Sequence, residues 1–215
     1  RKRTLVSIAK DPHGEEWNPE VVVYEDVVIP PHGRAASASL VIAKNKLFVL
    51  IFSYPGHIYI SEYLDNNRWG KVVAVNNFEN ATSLDWSTVT DSKGNLHVFY
   101  PGIKNNITRH ALFDGEDWRF ENITDKSTSN RQISSSIDEY DNIFVTHRHV
   151  ELLGFIDGAW DEKELISDSS SFTISWVNTL QFFIRGKLGI ALVEGKDTQP
   201  NIWFSCLARV ASTSG

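Results

Sequence analysis

Apolar and polar positions along this chain alternate on a short period. Runs of about five to eight residues rich in β-branched and aromatic side chains, such as "LFVLIFS" (47–53), "LHVFYPG" (96–102) and "IFVTHRH" (143–149), are bounded by polar turn clusters. No stretch sustains the spacing of an amphipathic helix. The pattern predicts strands, in a fixed order. A Ser-rich run comes first ("AASASLVIA", "SLDWSTVTD", "QISSSIDE"), then a turn ("KNK", "SKGN", "YDN"), then the apolar run. A third strand follows ("IYISEYLD", "ITRHALFD", "VELLGFID"), and a more polar fourth closes the unit ("KVVAVNN", "RFENITD", "DEKELIS").

Between the third and fourth strands stands a turn that ends in tryptophan. The turn-closing residues are Trp17, Trp69, Trp118 and Trp160, at spacings of 52, 49 and 42. Asp114-Gly115 supplies the positive-φ chemistry of a tight hairpin. The Trp that follows offers a large apolar plate to pack between neighbouring sheets. Four strands in roughly 42 to 52 residues are the repeat of a β-propeller blade. One such meander has two apolar faces and buries neither alone, whereas radial stacking buries both. The innermost strands then crowd the axis, which favours small residues: Ala36, Ser37, Ala38 and Ser39 in one repeat, Ser134, Ser135 and Ser136 in another.

The predicted fold is therefore all-β, a single propeller domain over residues 1–215 built of four-stranded antiparallel blades. Four blades are preferred and five are the alternative, with frayed ends at about 1–3 and 211–215. The segment "TLVSIAKDPHGEEWNPEVVVYED" reads as third strand, Trp turn and fourth strand. At the other end "SWVNTLQFFI", "KLGIALVE" and "NIWFSCLARV" read as first, second and third strands, so the ring is expected to close by pairing the two chain ends. One strand, "TLVSIAK" or "NIWFSCLARV", is left over in that count. "VVIPPHGRA" reads as a linker, because two consecutive prolines do not sit inside a sheet.

Composition narrows the function classes. Hydrophobic residues at 41% and aromatics at 12% suffice for a core. A formal net charge of −6 argues against a nucleic-acid surface, which needs clustered Lys and Arg; the one dense basic run is Arg1-Lys2-Arg3. No apolar stretch approaches the roughly 18 residues of a spanning helix, so no membrane insertion is expected. The chain opens on Arg1 and contains no Met, as a processed or excised piece would. Cys206 is the sole cysteine, too few for an internal disulfide or a Cys-rich zinc site, and reads as a small hydrophobe in a strand. Sequons at Asn80, Asn106 and Asn122 fall near turns and strand ends, where a glycan is tolerated, and point to a secreted or surface protein.

Over most of residues 4–207 the strand, Asp-Gly-x-Trp turn and strand at this period resemble two propeller families: the fungal fucose-binding lectins with their bacterial relatives, and the sialidase-like propellers. The resemblance lies in repeat shape. The sialidase motif S-x-D-x-G-x-x-W does not occur; "DSKGNLHVF" from Asp91 has its Asp and Gly but not its Trp. Glycosidase chemistry needs two carboxyl groups across a bond, and the acids here fall mostly in turns and outer strands, so no catalytic residue, enzymatic activity or cofactor is expected.

The lectin resemblance implies sites between adjacent blades made of an Arg, a Glu and aromatics. Candidates are Arg109 and His110 on one strand, Tyr59 and Glu62 on its counterpart in the preceding blade, and Glu151 in the next. With the blades aligned on their turn aspartates, Arg109 stands level with Ile60 and Leu152, so the set does not recur and at most one or two unequal sites are expected. Trp86 and Trp176 fall on first strands, as ligand plates or as core. His147 and His149 share a strand face and would need a third ligand to hold a metal; the plainer reading is a polar strand end.

Two functional readings compete. The first is a non-catalytic secreted or cell-surface propeller that recognises a protein partner through its rim or top face. The alternative is a carbohydrate-binding, lectin-like propeller, and a sialidase-like glycosidase is a more distant one. An oligomer would also accommodate the odd strand. The lectin requires aromatic and polar groups meeting between blades, open to water. The protein binder requires an exposed apolar patch.

Overall fold

The computed structural model describes residues 2–7, 19–28, 38–53, 57–64, 68–75, 86–102, 107–124, 133–147, 151–156, 158–165, 176–184, 187–196 and 199–206, and every regular element among them is a strand. The chain opens with an antiparallel pair, β1 (Lys2–Ser7) and β2 (Val21–Val28). The first full sheet follows: β3 (Ala38–Ala43), β4 (Lys46–Ser53), β5 (His57–Leu64) and an outer strand broken into β6 (Arg68–Trp69) and β7 (Val73–Ala74), both paired to β5. The second sheet is β8 (Ser87–Thr90), β9 (Leu96–Pro101), β10 (Thr108–Phe113) and β11 (Trp118–Asn122). The third is β12 (Ser134–Ile137), β13 (Ile143–His147), β14 (Glu151–Ile156) and β15 (Ala159–Leu165). A three-stranded sheet of β16 (Trp176–Ile184), β17 (Lys187–Lys196) and β18 (Gln199–Cys206) ends the described chain. Each sheet is an up-and-down antiparallel meander in chain order. The four-step unit read from the sequence is thus the unit of the fold.

The hairpin chemistry is local. Lys44 and Asn45 both take positive φ (48° and 59°), which suits a two-residue turn between twisted strands. Gly115 and Gly158 take φ of 107° and 83° in the third-to-fourth-strand turns, as the Asp-Gly pairs predict. Asp114 holds its own turn, accepting from the backbone N–H groups of Glu116 and Asp117. The first-to-second-strand turns also hold one another. Lys44 N–H donates to Gly94 O at 2.9 Å, and the Asp141 carboxylate accepts from the N–H and hydroxyl of Ser92.

The sheets stand face to face in chain order. The first strands β3, β8, β12 and β16 are successive neighbours, and β2 lies against β4 and β6. Ser87 and Ser135 meet at 2.7 Å where β8 passes β12, so small residues do occupy this close approach; Ala36 and Ser37 lie outside the described residues. Between the N-terminal pair and the first sheet pack Val23, Val49 and Ile51 with Leu5, Tyr24, Tyr59 and Trp69. Between the first and second sheets pack Phe48, Leu50, Phe52, Ile58, Ile60, Leu96, Val98 and Tyr100, with Phe113, Trp118 and Phe120 at the margin. Between the second and third pack Phe99, Ile123, Ile133, Ile143, Val145 and Leu153, with Phe155 and Trp160. Each sheet with a neighbour on both sides has second strands buried on both faces, which is why β4 and β9 read as continuous apolar runs. Burial of Tyr100 between sheets pushes its phenol up to about 12.

Trp69, Trp118 and Trp160 occupy one equivalent position. Each lies in the first two residues of the outer strand, contacts an aromatic in the last two residues of the third strand (Tyr63 at 5.3 Å, Phe113 at 4.9 Å, Phe155 at 5.1 Å) and faces the preceding sheet. Trp17 lies outside the described residues. Among the described residues no pairing joins β1 or β2 to the C-terminal sheet; they pair with each other, and β1 begins at Lys2. Leu40 and Ile42, 66% and 65% exposed, share the face of β3 on the side of that two-stranded pair.

Candidate functional site

Neighbouring residues on a strand point to opposite faces, and this separates the sequence candidates. Arg109 faces the first sheet, and its Nε donates to Asn122 Oδ1 at 2.9 Å. His110 faces the third sheet and is buried. Tyr59 packs at 5.3 Å on Tyr24 of the N-terminal pair, and burial, then Tyr24, raises its phenol pKa. Glu62 lies on the other face of β5 and pairs with Lys46 at 2.9 Å. Trp86, just before β8, packs against the core between the first and second sheets. The five residues do not converge on one pocket.

The blade alignment also needs correcting. Phe113 pairs with Trp118, Tyr63 with Trp69 and Phe155 with Trp160, so Arg109 stands level with Tyr59 and Glu151, and His110 with Ile60 and Leu152. Alignment on the turn aspartates is one residue out because Phe113 abuts Asp114, whereas Leu64 and Ile156 intervene in the other two turns. In a strand one residue is a whole face. The side chains of Glu151, Trp176, His147 and Cys206 lie outside the described part of the structure, as do residues His149, Asn80 and Asn106. Among the described residues, no group of three or more His, Cys, Asp or Glu side chains is arranged to hold a metal ion. No helix among them is long and apolar enough to cross a membrane.

What the fold does assemble is a polar chain at the junction of the second and third sheets. His110 and Glu121 are register partners on β10 and β11, and His110 Nδ1 lies 2.7 Å from Glu121 Oε1. From the third sheet, Trp160 Nε1 donates to the same oxygen at 2.9 Å. His97 of β9 lies edge to edge with His110 (centroids 5.0 Å apart, planes 5° from parallel), with Nδ1 2.9 Å from His110 Nε2. Phe99 closes the other side of His110 at 4.9 Å and meets Trp160 edge-on.

The electrostatics follow from this packing. The hydrogen bond from His110 holds the Glu121 carboxyl below the usual range; partial burial opposes it and the Trp160 bond assists. His97 is pushed down to about 4, chiefly by burial and then by its His110 neighbour, against the pull of Asp91. The Glu121 side chain is nonetheless 51% exposed and both its bonds fall on Oε1, so Oε2 takes part in neither. A carboxylate open to water, an indole beside it and an imidazole beneath can grip a pair of hydroxyls against an apolar surface.

Sequence reading singled out His110 but missed Glu121, Trp160 as a polar partner, and His97. Glu121 sits in the polar outer strand "RFENITD" and looks solvated. The available signal was its spacing, which places it opposite His110 across a five-residue hairpin register.

No family model matches the sequence, and no curated protein matches it. The folded chain is similar to solved lectin structures. It superposes on the BP39L lectin from Burkholderia pseudomallei with a TM-score of 0.65 at 14% identity, covering 91% of this chain and 57% of that one. The chain thus spans a little over half the length of that lectin. The fungal lectin from Aleuria aurantia, described as a six-bladed β-propeller with a novel fucose recognition mode, gives 0.56 at 16% identity over 96% of this chain and 70% of that one. The fold is a β-propeller. A glycoside hydrolase is a weaker match, with a TM-score of 0.50 at 11% identity, covering 83% of this chain and 46% of the enzyme. The solved structures this propeller resembles are chiefly lectins.

Proposed function

We propose that this propeller binds carbohydrate without transforming it, at the junction of the second and third sheets, through Glu121, Trp160 and His110. One observation carries the reading: a half-exposed carboxylate is held by an indole from the neighbouring sheet and by an imidazole of its own, between two blades. The equivalent place one sheet earlier is Ile60, Val73 and Trp118, which offers no hydroxyl-binding group, so the site does not recur at that junction. A glycan array, fucosides included, tests the reading. Binding to at least one glycan is expected, and Glu121→Gln should weaken it at least tenfold while changing stability by less than about 1 kcal/mol. No binding across a broad array would falsify it.

The reading extends to ring and context. A sheet in which β1 and β2 are the outer strands needs two inner ones, and inner strands in that place would cover Leu40 and Ile42. We take this exposed pair as the seat of ring closure by the other end of the chain, with four blades favoured. Slowed amide exchange in β1 of the intact chain supports closure, and rapid exchange there opposes it. Secretion remains our reading of the sequons. Asn122 is exposed at the end of β11, and intact mass of protein from a eukaryotic secretory host tests its modification.

A further inference from the structure

The polar chain contains one buried nitrogen without a partner. His97 Nε2 makes no hydrogen bond and lies 3.5 Å from Asp91 Oδ2, with the His97 side chain 8% exposed. The bonds further along explain the conflict. Glu121 is ionised and only accepts, so His110 must donate through Nδ1. A neutral His110 then has only a lone pair at Nε2, and the 2.9 Å contact requires His97 to donate from Nδ1. Neutral His97 in that tautomer turns a bare lone pair towards a carboxylate.

One added proton removes the conflict. It binds His97 Nε2 and points at Asp91. The proton shared between the rings passes from His97 Nδ1 to His110 Nε2, and His110 keeps its Nδ1–H on Glu121. Every ring nitrogen of the pair then faces a group of opposite hydrogen-bonding sense. We propose that the hydrogen-bonded His97–His110 pair binds a single proton, which reverses the bond between the rings and places a cation beneath Glu121.

The surroundings favour one positive charge. Asp91 faces the pair from the turn between β8 and β9, Glu121 from β11, and Asp141 from the turn between β12 and β13 of the next sheet, with Lys93 beside Asp141 as the opposing cation. A second charge has no room: the ring centroids are 5.0 Å apart and the pair is walled by Phe99 and Trp160. The depression of His97 to about 4, by burial and by its neighbour, is what a pair that stops at one proton requires. The proton site stands with or without a sugar; its consequence, a pH-dependent glycan affinity at Glu121, rests on the reading above.

The test is a pH titration of the whole chain, labelled with 15N in its histidines and Trp indoles, without sugar, from about pH 8.5 to about 4.5. The expected result is a change of His97 from the Nδ1–H to the Nε2–H tautomer, at one midpoint shared with His110 and with the Trp160 indole N–H. Asp91→Asn should lower that midpoint by about one pH unit. A His97 that keeps one tautomer throughout, or rings that titrate separately and ignore Asp91→Asn, overturns the proposal. A glycan bound by a chain with no such switch leaves the lectin reading standing and the proton site refuted. A switch in a chain that binds no glycan does the reverse.

Discussion

The two inner junctions of this propeller are built from equivalent strands and from different chemistry. Between the first and second sheets, Ile60 and Val73 pair across the third and outer strands and Trp118 lies on an apolar core. Between the second and third, the same positions hold His110 and Glu121, and Trp160 donates its indole N–H to the carboxylate. The first junction is packed from apolar side chains. The other pays for its polar groups with a buried imidazole kept neutral and one nitrogen left bare. A repeat fold can keep its geometry while a single interface departs from it, and that departure is where function is to be sought.

The comparison predicts unequal tryptophans. Trp118→Ala should cost about 3–5 kcal/mol, the usual range for a large aromatic lost from a packed interface. Trp160→Ala should cost distinctly less, because its site is polar and partly open, yet it should abolish glycan binding. Denaturant midpoints check both, and equal losses would erase the distinction between the junctions.

Acid should act on the second junction. His97 is held near 4 in the folded state, below its ordinary 6.5, so it favours the fold fully above about pH 6.5. That contribution falls away as pH drops from about 6.5 towards 4, by about 3 kcal/mol at most. His97→Leu should flatten this part of the stability profile. A variant with the wild-type slope would show that the acid sensitivity lies elsewhere.

Polarity moved to the wrong junction should hurt. Ile60→His places an imidazole where Val73, not a carboxylate, is its register partner, and should cost about 2 kcal/mol without creating a second sugar site. A neutral result in thermal unfolding would mean that the first junction is wetter than its packing implies. The smallest effect belongs to the contact of the inner strands β8 and β12 within the second junction. Ser87→Ala removes the bonds to Ser135 and should cost about 1 kcal/mol, with glycan binding unchanged.

Much of this was legible in the chain. "YLDNNRW", "LFDGEDW" and "FIDGAW" each carry a strand-ending aromatic, a turn and a Trp, and they fold to equivalent corners. The strand limits follow the apolar runs closely because those runs are buried on two faces. The candidate site was less legible. His110 was marked, but with Arg109 and Tyr59, which lie on other faces, and without Glu121, whose neighbours in sequence look solvated.

Period, turn type and strand order are local properties, written in alternation and in residues such as Asp114-Gly115, and the sequence by itself determined them. The pairing of side chains across two sheets is not local. It depends on register parity, where a one-residue difference in turn length exchanges the faces of a strand, and on which sheet comes to lie opposite. The meeting of Trp160 with Glu121, thirty-nine residues apart, was therefore decided only when the blades stacked.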